Sequence, residues 1–241
     1  MKVSVVIPAF NEEKLLGACL DSARAAFSAQ PQAPDYELIV CDNNSADGTA
    51  ALAAAKGVKV VFEPLNRISA ARNSGAAPAT GDWLLFIDAD SRLSAATLAA
   101  ALNLMRSGSC AGGGALISFH PEPPAWGRAL TGLWNAISRG FGLAAGSFLF
   151  CRRDAFTAVG GFSPLLYAGE ELALSLALKR WGLARALSFA IITTAPHESS
   201  GRKFRIYTLT ELALQVLKFA LRPFGSVRKA SSLGIFYDGR R

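Results

Sequence analysis

The chain has 241 residues, of which 51% are hydrophobic. That is enough to bury a core, and it excludes a disordered chain. The net charge of +7 is confined to one end: residues 201–241 carry nine basic side chains against Glu211 and Asp238, whereas residues 1–200 carry 16 of each sign. Such a tail suits an anionic membrane surface, a phosphate-bearing substrate or nucleic acid, or is a solvated basic end.

In chain order, "VSVVIP" (Val3–Pro8) is an apolar, β-branched run that ends at proline, and it reads as the first strand rather than as a signal peptide. "NEEKLLGACLDSARAAF" follows, with Asn11 placed to cap a helix whose apolar positions are Leu15, Leu16, Cys19, Leu20 and Ala23. "YELIVCD" (Tyr36–Asp42) is a second strand. A helix closed by Gly57 comes next, then a third strand in "VKVVFE". "ISAARNSGAA" is a short helix and "DWLLFID" a fourth strand, and Ser94 caps a helix running to about Met105. Continuous apolar strands joined by helices predict a mostly parallel α/β sheet covered on both faces.

After residue 110 the rhythm changes. "CAGGGALISFH" predicts one strand, and "PEPPAWGRALTGLWNAISRGFG" a proline-rich loop leading into an amphipathic helix. "GSFLFCRRDAF" predicts a strand and then a helix capped near Asp154. A loop precedes a helix over Glu170–Trp181, and "ARALSFAIITTAP" is a further strand. A last helix is expected around Tyr207–Leu221, broken at Pro223, with Leu209, Leu212, Ala213, Val216, Leu217 and Ala220 at helical spacing. Such a helix either packs on the domain or rests on an anionic membrane. No run of eighteen uncharged apolar residues occurs, so no spanning helix is expected. Cys19, Cys41, Cys110 and Cys151 are far apart among apolar neighbours, which predicts reduced core thiols in a cytoplasmic protein rather than a zinc site.

Ligands of an open α/β sheet bind beyond the carboxyl ends of its strands. Polar residues gather there after three strands: Pro8-Ala9-Phe10-Asn11-Glu12, Asp42-Asn43-Asn44-Ser45 and Asp88-Ala89-Asp90. On an extended segment residues i and i+2 share a face, so Asp88 and Asp90 are expected to point to one spot. Their mutual repulsion favours a hard cation, Mg²⁺ or Mn²⁺; helix capping or a surface turn is the plainer reading. Asp42 suits a base edge, a ribose hydroxyl or a helix cap. Arg72 suits a diphosphate or a neighbouring aspartate, or is a surface arginine.

"VSVVIPAFNEEKLL", "ELIVCDNNSADGT", "NRISAARNSGAAPATGDWLLFIDADS" and "VGGFSPLLYAGEELALSLALKRWG" together resemble the family-two glycosyltransferases of the GT-A fold, in the family's order, from about residue 3 to 185. The resemblance implies a GT-A-like α/β fold in a single domain spanning 1–241. Residues 1–109 would form a nucleotide-sugar-binding half, 110–200 an acceptor half and 201–241 a basic helical tail. It implies that Pro8, Ala9, Phe10 and Glu12 line the nucleotide pocket, that Asp42 meets the base, and that Arg72 lies near the nucleotide and the aspartates. Asp88 would contact ribose or the metal shell, and Asp90 would ligate the metal. The family's acceptor motif is Glu-Asp; here it reads "GEEL", so Glu171 takes the place of the aspartate base and Glu170 is the second candidate. His197 follows a strand-like run and a proline; it is either a metal ligand or a loop histidine. Arg202 and Lys203 would meet phosphate charge. Ala177 stands where processive members carry the glutamine of Q-x-x-R-W, so a single transfer is expected. The implied partners are a nucleotide-diphosphate sugar donor and a hydroxyl acceptor, lipid-linked if the tail meets the inner membrane face; nucleic acid is not expected. The rivals are a non-catalytic nucleotide-sugar-binding protein and a nucleotidyltransferase, although "PAFNEEK" lacks the glycine-rich basic loop of the latter.

Overall fold

The computed structural model describes residues 1–206; the helix expected over 207–221 lies outside them. Seven strands form one sheet: β1 (Lys2–Ala9), β2 (Asp35–Asp42), β3 (Lys59–Phe62), β4 (Trp83–Ile87), β5 (Cys110–His120), β6 (Phe148–Arg152) and β7 (Ser188–Ser200). Their order is β3-β2-β1-β4-β6-β5-β7. β6 is antiparallel to both of its neighbours, and every other pairing is parallel, so the expected mostly parallel α/β sheet is present.

Both faces are covered, which is why the strands read as unbroken apolar runs. Val5, Ile7, Leu85 and Ile87 face one core with Leu16, Leu20, Phe27, Leu98 and Leu102, from α1 (Leu16–Ser28) and α4 (Ala95–Arg106). Val6, Leu84 and Phe86 face the other, with Phe162, Leu174 and Leu178. That second face carries α3 (Ile68–Ala76), α6 (Arg153–Ala158) and α7 (Glu170–Leu183). The remaining longer helices are α2 (Thr49–Ala55) and α5 (Ala125–Phe141). A short α8 (Lys203–Ile206) follows β7. All four cysteines are free and buried. Among the described residues no helix is long and apolar enough to cross a membrane.

The chain runs outward from β1 through β2 to β3 and returns to β4 on the other side of β1. This reversal opens a crevice at the carboxyl ends of β1 and β4, the switch point where ligands of such sheets bind.

Three local expectations are corrected. Asn11 does not cap α1, which begins at Leu16. Asn11 takes φ 53°, and its side-chain oxygen accepts from Ala46 N–H at 2.8 Å while its own N–H donates to Ser45 Oγ at 2.9 Å; partners on another loop outcompete the local cap. The helix placed near Asp154 has Arg152 at its N-cap, and Asp154 sits in the first turn, bound to the Arg152 guanidinium at 3.0 and 3.1 Å. His197 lies inside β7, which begins and ends later than expected. Pro196 does not end the strand because β7 bulges there: the pairing with β5 jumps from Ala115–Ile192 to Ile117–His197, so no ladder bond is asked of the proline.

Candidate active site

Two loops build one wall of the crevice. In the β1–β2 ladder Pro8 lies beside Cys41 and Ala9 beside Asp42. Asn43 N–H then donates to Ala9 C=O at 2.8 Å, and Glu12 N–H to Thr49 Oγ1 at 2.8 Å. Asp42 is buried, with Oδ1 accepting from Ser45 N–H at 3.3 Å. Asn43 reaches on to the Glu63 and Leu65 carbonyls at 3.2 and 2.5 Å. Pro8, Ala9, half-buried Phe10, Glu12 and Asp42 are thus gathered at adjacent strand ends.

Alternation does not set the directions of Asp88 and Asp90. β4 ends at Ile87, and the chain turns, with Ser91 N–H donating to Asp88 C=O at 3.0 Å. The two carboxylates meet different arginines: Asp88 pairs with Arg72 at 3.1 Å and Asp90 with Arg202 at 3.1 Å.

Arg72 is the centre of the site. It is 3% exposed and donates to Asp88 Oδ1 at 3.1 Å, to Glu170 Oε1 at 2.7 Å and to Gly146 C=O at 2.9 Å. Its guanidinium also lies over the Phe162 ring, 5.2 Å from the centroid. Burial works against its charge, but Asp88 and Glu170 more than offset that, so the guanidinium stays protonated. Gly146 is needed for this approach, because a Cβ there would lie 2.7 Å from Arg72 Nη2. Gly146→Ala is therefore expected to destabilise the fold by about 1–3 kcal/mol through overpacking, read as a lower urea midpoint. The Gly146 and Phe162 contacts were not foreseen; the small residues ahead of the "FLF" run are the visible sign of close packing.

The two glutamates of "GEEL" separate. Glu170 is 3% exposed and committed to Arg72. Glu171 is half-buried and forms no ion pair among the described residues. Burial first, and the neighbouring Glu170 charge second, push its pKa up to about 8. A carboxylate held at this basicity is suited to accept a proton near neutral pH.

On the opposite side Arg202 donates to both Glu12 carboxylate oxygens, one at 2.9 Å, while also meeting Asp90. Glu12 is 5% exposed, so this pair is largely out of water. Arg92 bridges to Glu198, with Arg92 N–H donating to Glu198 C=O at 2.9 Å, which brings the segment after Asp90 against β7. His197, one residue earlier on β7, is fully buried, its ring 4.9 Å from the Phe148 ring. Among the described residues neither ring nitrogen has a hydrogen-bond partner. Burial lowers its pKa to about 4 against the opposing Asp88 charge, so the imidazole is neutral at pH 7. Among the described residues no three His, Cys, Asp or Glu side chains converge into a metal cage.

A protein-family model described as glycosyl transferase family 2 matches residues 4–159. A Mycobacterium tuberculosis protein named as an uncharacterized glycosyltransferase is 38% identical over 96 residues, 40% of this chain and 40% of that protein. The chain thus spans about two fifths of the length of this curated relative. Among solved structures, S. aureus TarS 1–349 matches with TM-score 0.65 and 18% identity, over 98% of this chain and 80% of that one. Glucosyl-3-phosphoglycerate synthase from Mycobacterium tuberculosis, in complex with Mn²⁺, uridine diphosphate (UDP) and phosphoglyceric acid, matches with TM-score 0.63 and 21% identity, over 95% of this chain and 80% of that one. At these identities the structural matches establish the fold.

Proposed function

The chain belongs to glycosyl transferase family 2, and from that premise we propose that it is an inverting, metal-dependent glycosyltransferase, moving one sugar from a nucleotide-diphosphate donor to an acceptor hydroxyl. The observation that carries this reading is the split between the two glutamates: Glu170 is locked to Arg72, while Glu171 has no ion-pair partner among the described residues and a raised pKa. Glu171 is the base. It takes the proton of the acceptor hydroxyl, whose oxygen attacks the anomeric carbon from the side opposite the leaving diphosphate. Asp42 and the Pro8–Glu12 loop hold the nucleoside, Asp88 the ribose, and Arg202 the diphosphate. Residues 1–109 serve the donor and 110–200 the acceptor. Arg72 joins the two halves, since Asp88 belongs to the first and Glu170 to the second.

The residues fit a divalent cation. Mg²⁺ needs only one or two protein carboxylates when phosphate oxygens complete its shell, so the lack of a three-residue cage among the described residues is no obstacle. Buried polar atoms without partners are costly; among the described residues neither nitrogen of neutral His197 has one, and binding an ion through one of them would satisfy that nitrogen. Asp90 and His197 would hold the ion, which when bound would offset charge on the leaving diphosphate.

UDP is the natural first probe, because the Mycobacterium tuberculosis neighbour was solved with UDP and Mn²⁺. At a hundredfold excess over Kd, a nucleotide diphosphate should stabilise the native protein by about 2.7 kcal/mol. That stabilisation should require Mn²⁺ and should vanish in Asp90→Ala. A thermal-shift panel of nucleotide diphosphates with and without Mn²⁺ reads both effects; persistence of the Mn²⁺ requirement in Asp90→Ala would overturn the metal assignment.

A further inference from the structure

We infer that Arg202 is a built-in counter-cation: it occupies the charge position of the metal on Asp90 when donor is absent, and it must exchange Asp90 and Glu12 for the diphosphate when donor binds. The inference rests on the proposed donor site and assigns Arg202 a positioning role that a simple phosphate contact does not contain.

The geometry is that of a competitor. One guanidinium spans both oxygens of Glu12 and Oδ2 of Asp90. Both carboxylates are mostly withdrawn from water, Glu12 at 6% and Asp90 at 14% side-chain exposure. Two anions brought this close in low dielectric need a cation between them, and the chain supplies one from 190 residues away in sequence. Arg202 itself keeps 23% side-chain exposure and stands at the start of the short turn after β7, anchored by Gly201 N–H donating to His120 C=O at 3.0 Å and by Phe204 packing on Trp126 at 5.5 Å. The guanidinium is therefore reachable, while the backbone that carries it is fixed.

Charge sets the consequence. A divalent ion arriving alone must displace Arg202 from Asp90 while nothing new receives the guanidinium. An ion arriving with a diphosphate gives the guanidinium a bidentate acceptor in exchange. Metal alone should bind weakly, and metal with diphosphate far better than either component alone. This is reciprocal coupling between two ligands through one side chain.

The test is titration calorimetry of the full chain with Mn²⁺ alone, and with Mn²⁺ plus inorganic pyrophosphate, for the native protein and Arg202→Met. In Arg202→Met, Mn²⁺ alone should bind about tenfold more tightly, equivalent to about 1.4 kcal/mol, and pyrophosphate with Mn²⁺ about tenfold more weakly. A residue that merely supports the fold would not move the two affinities in opposite directions. Arg202→Lys, which keeps the charge but not the two-pronged contact, should fall between. If Mn²⁺ alone binds equally well or more weakly in Arg202→Met, Arg202 orients Asp90 rather than competing for it, and the inference is wrong while the donor site stands. If neither protein binds Mn²⁺ under either condition, the metal reading and this inference fail together.

Discussion

Glu171→Gln is expected to lower the rate of sugar transfer by about 10²- to 10⁴-fold, the ordinary contribution of a positioned general base, while leaving nucleotide-diphosphate binding unchanged. The substitution preserves size and removes only the ability to accept a proton. Glu171→Asp keeps the carboxylate on a side chain one methylene shorter, which is the residue of the family pattern, and should retain a substantial share of the rate. Glu170→Gln should act differently. It removes a partner of Arg72, so its first effect falls on stability and donor-side geometry. Initial rates at saturating donor separate the three. A Glu171→Gln enzyme working at the native rate would remove Glu171 from the mechanism.

The same residue fixes the pH dependence. A base must be unprotonated to act, so kcat/KM should climb with pH and level off above the raised value of about 8. Stability should run the other way. Between the ordinary carboxyl value of 4.5 and about 8, the folded protein keeps a proton that the unfolded chain has released. The folded state then binds more protons, and stability falls as pH rises through that window. Glu171→Gln should lose that part of the fall, giving a protein that is less active but relatively more stable at pH 8 than at pH 5. Urea midpoints at the two pH values measure this directly.

The parts of this molecule that were legible in the sequence are those that local pattern decides. β1, β2 and β4 are apolar runs stopped by polar residues, and the sheet edge that those stops define is where Ala9, Asp42 and Asp88 lie. What the sequence did not reveal depends on distant partners. Asp88-Ala89-Asp90 is compatible with a strand or a turn; the Ser91–Asp88 hydrogen bond decides for the turn, and two arginines from α3 and from the segment after β7 decide where each carboxylate goes. Asn11 had every local feature of a helix cap but is held by Ala46, 35 positions away. Pro196 marked a strand end by the usual rule, and the bulge on β7 evades it. The separation of Glu170 from Glu171 was the hardest to see, since it rests on a contact spanning 98 positions.

That contact carries the second large effect. Arg72→Met removes the only charge balancing Glu170 among the described ion pairs, and breaking a buried pair by deleting one partner costs about 3–5 kcal/mol. The loss should appear as a lower urea midpoint with an unchanged slope. Asp88 is 34% exposed and can recover solvation, so the larger share of the loss belongs to Glu170, at 3% exposure. Arg72→Met combined with Glu170→Gln should therefore be more stable than Arg72→Met alone, because no bare charge remains in the interior. Arg72→Lys should not rescue the native stability, since a compact ammonium cannot serve Asp88, Glu170 and the Gly146 carbonyl together. A deficit unrelieved by Glu170→Gln would show that Arg72 contributes packing against Phe162 rather than charge.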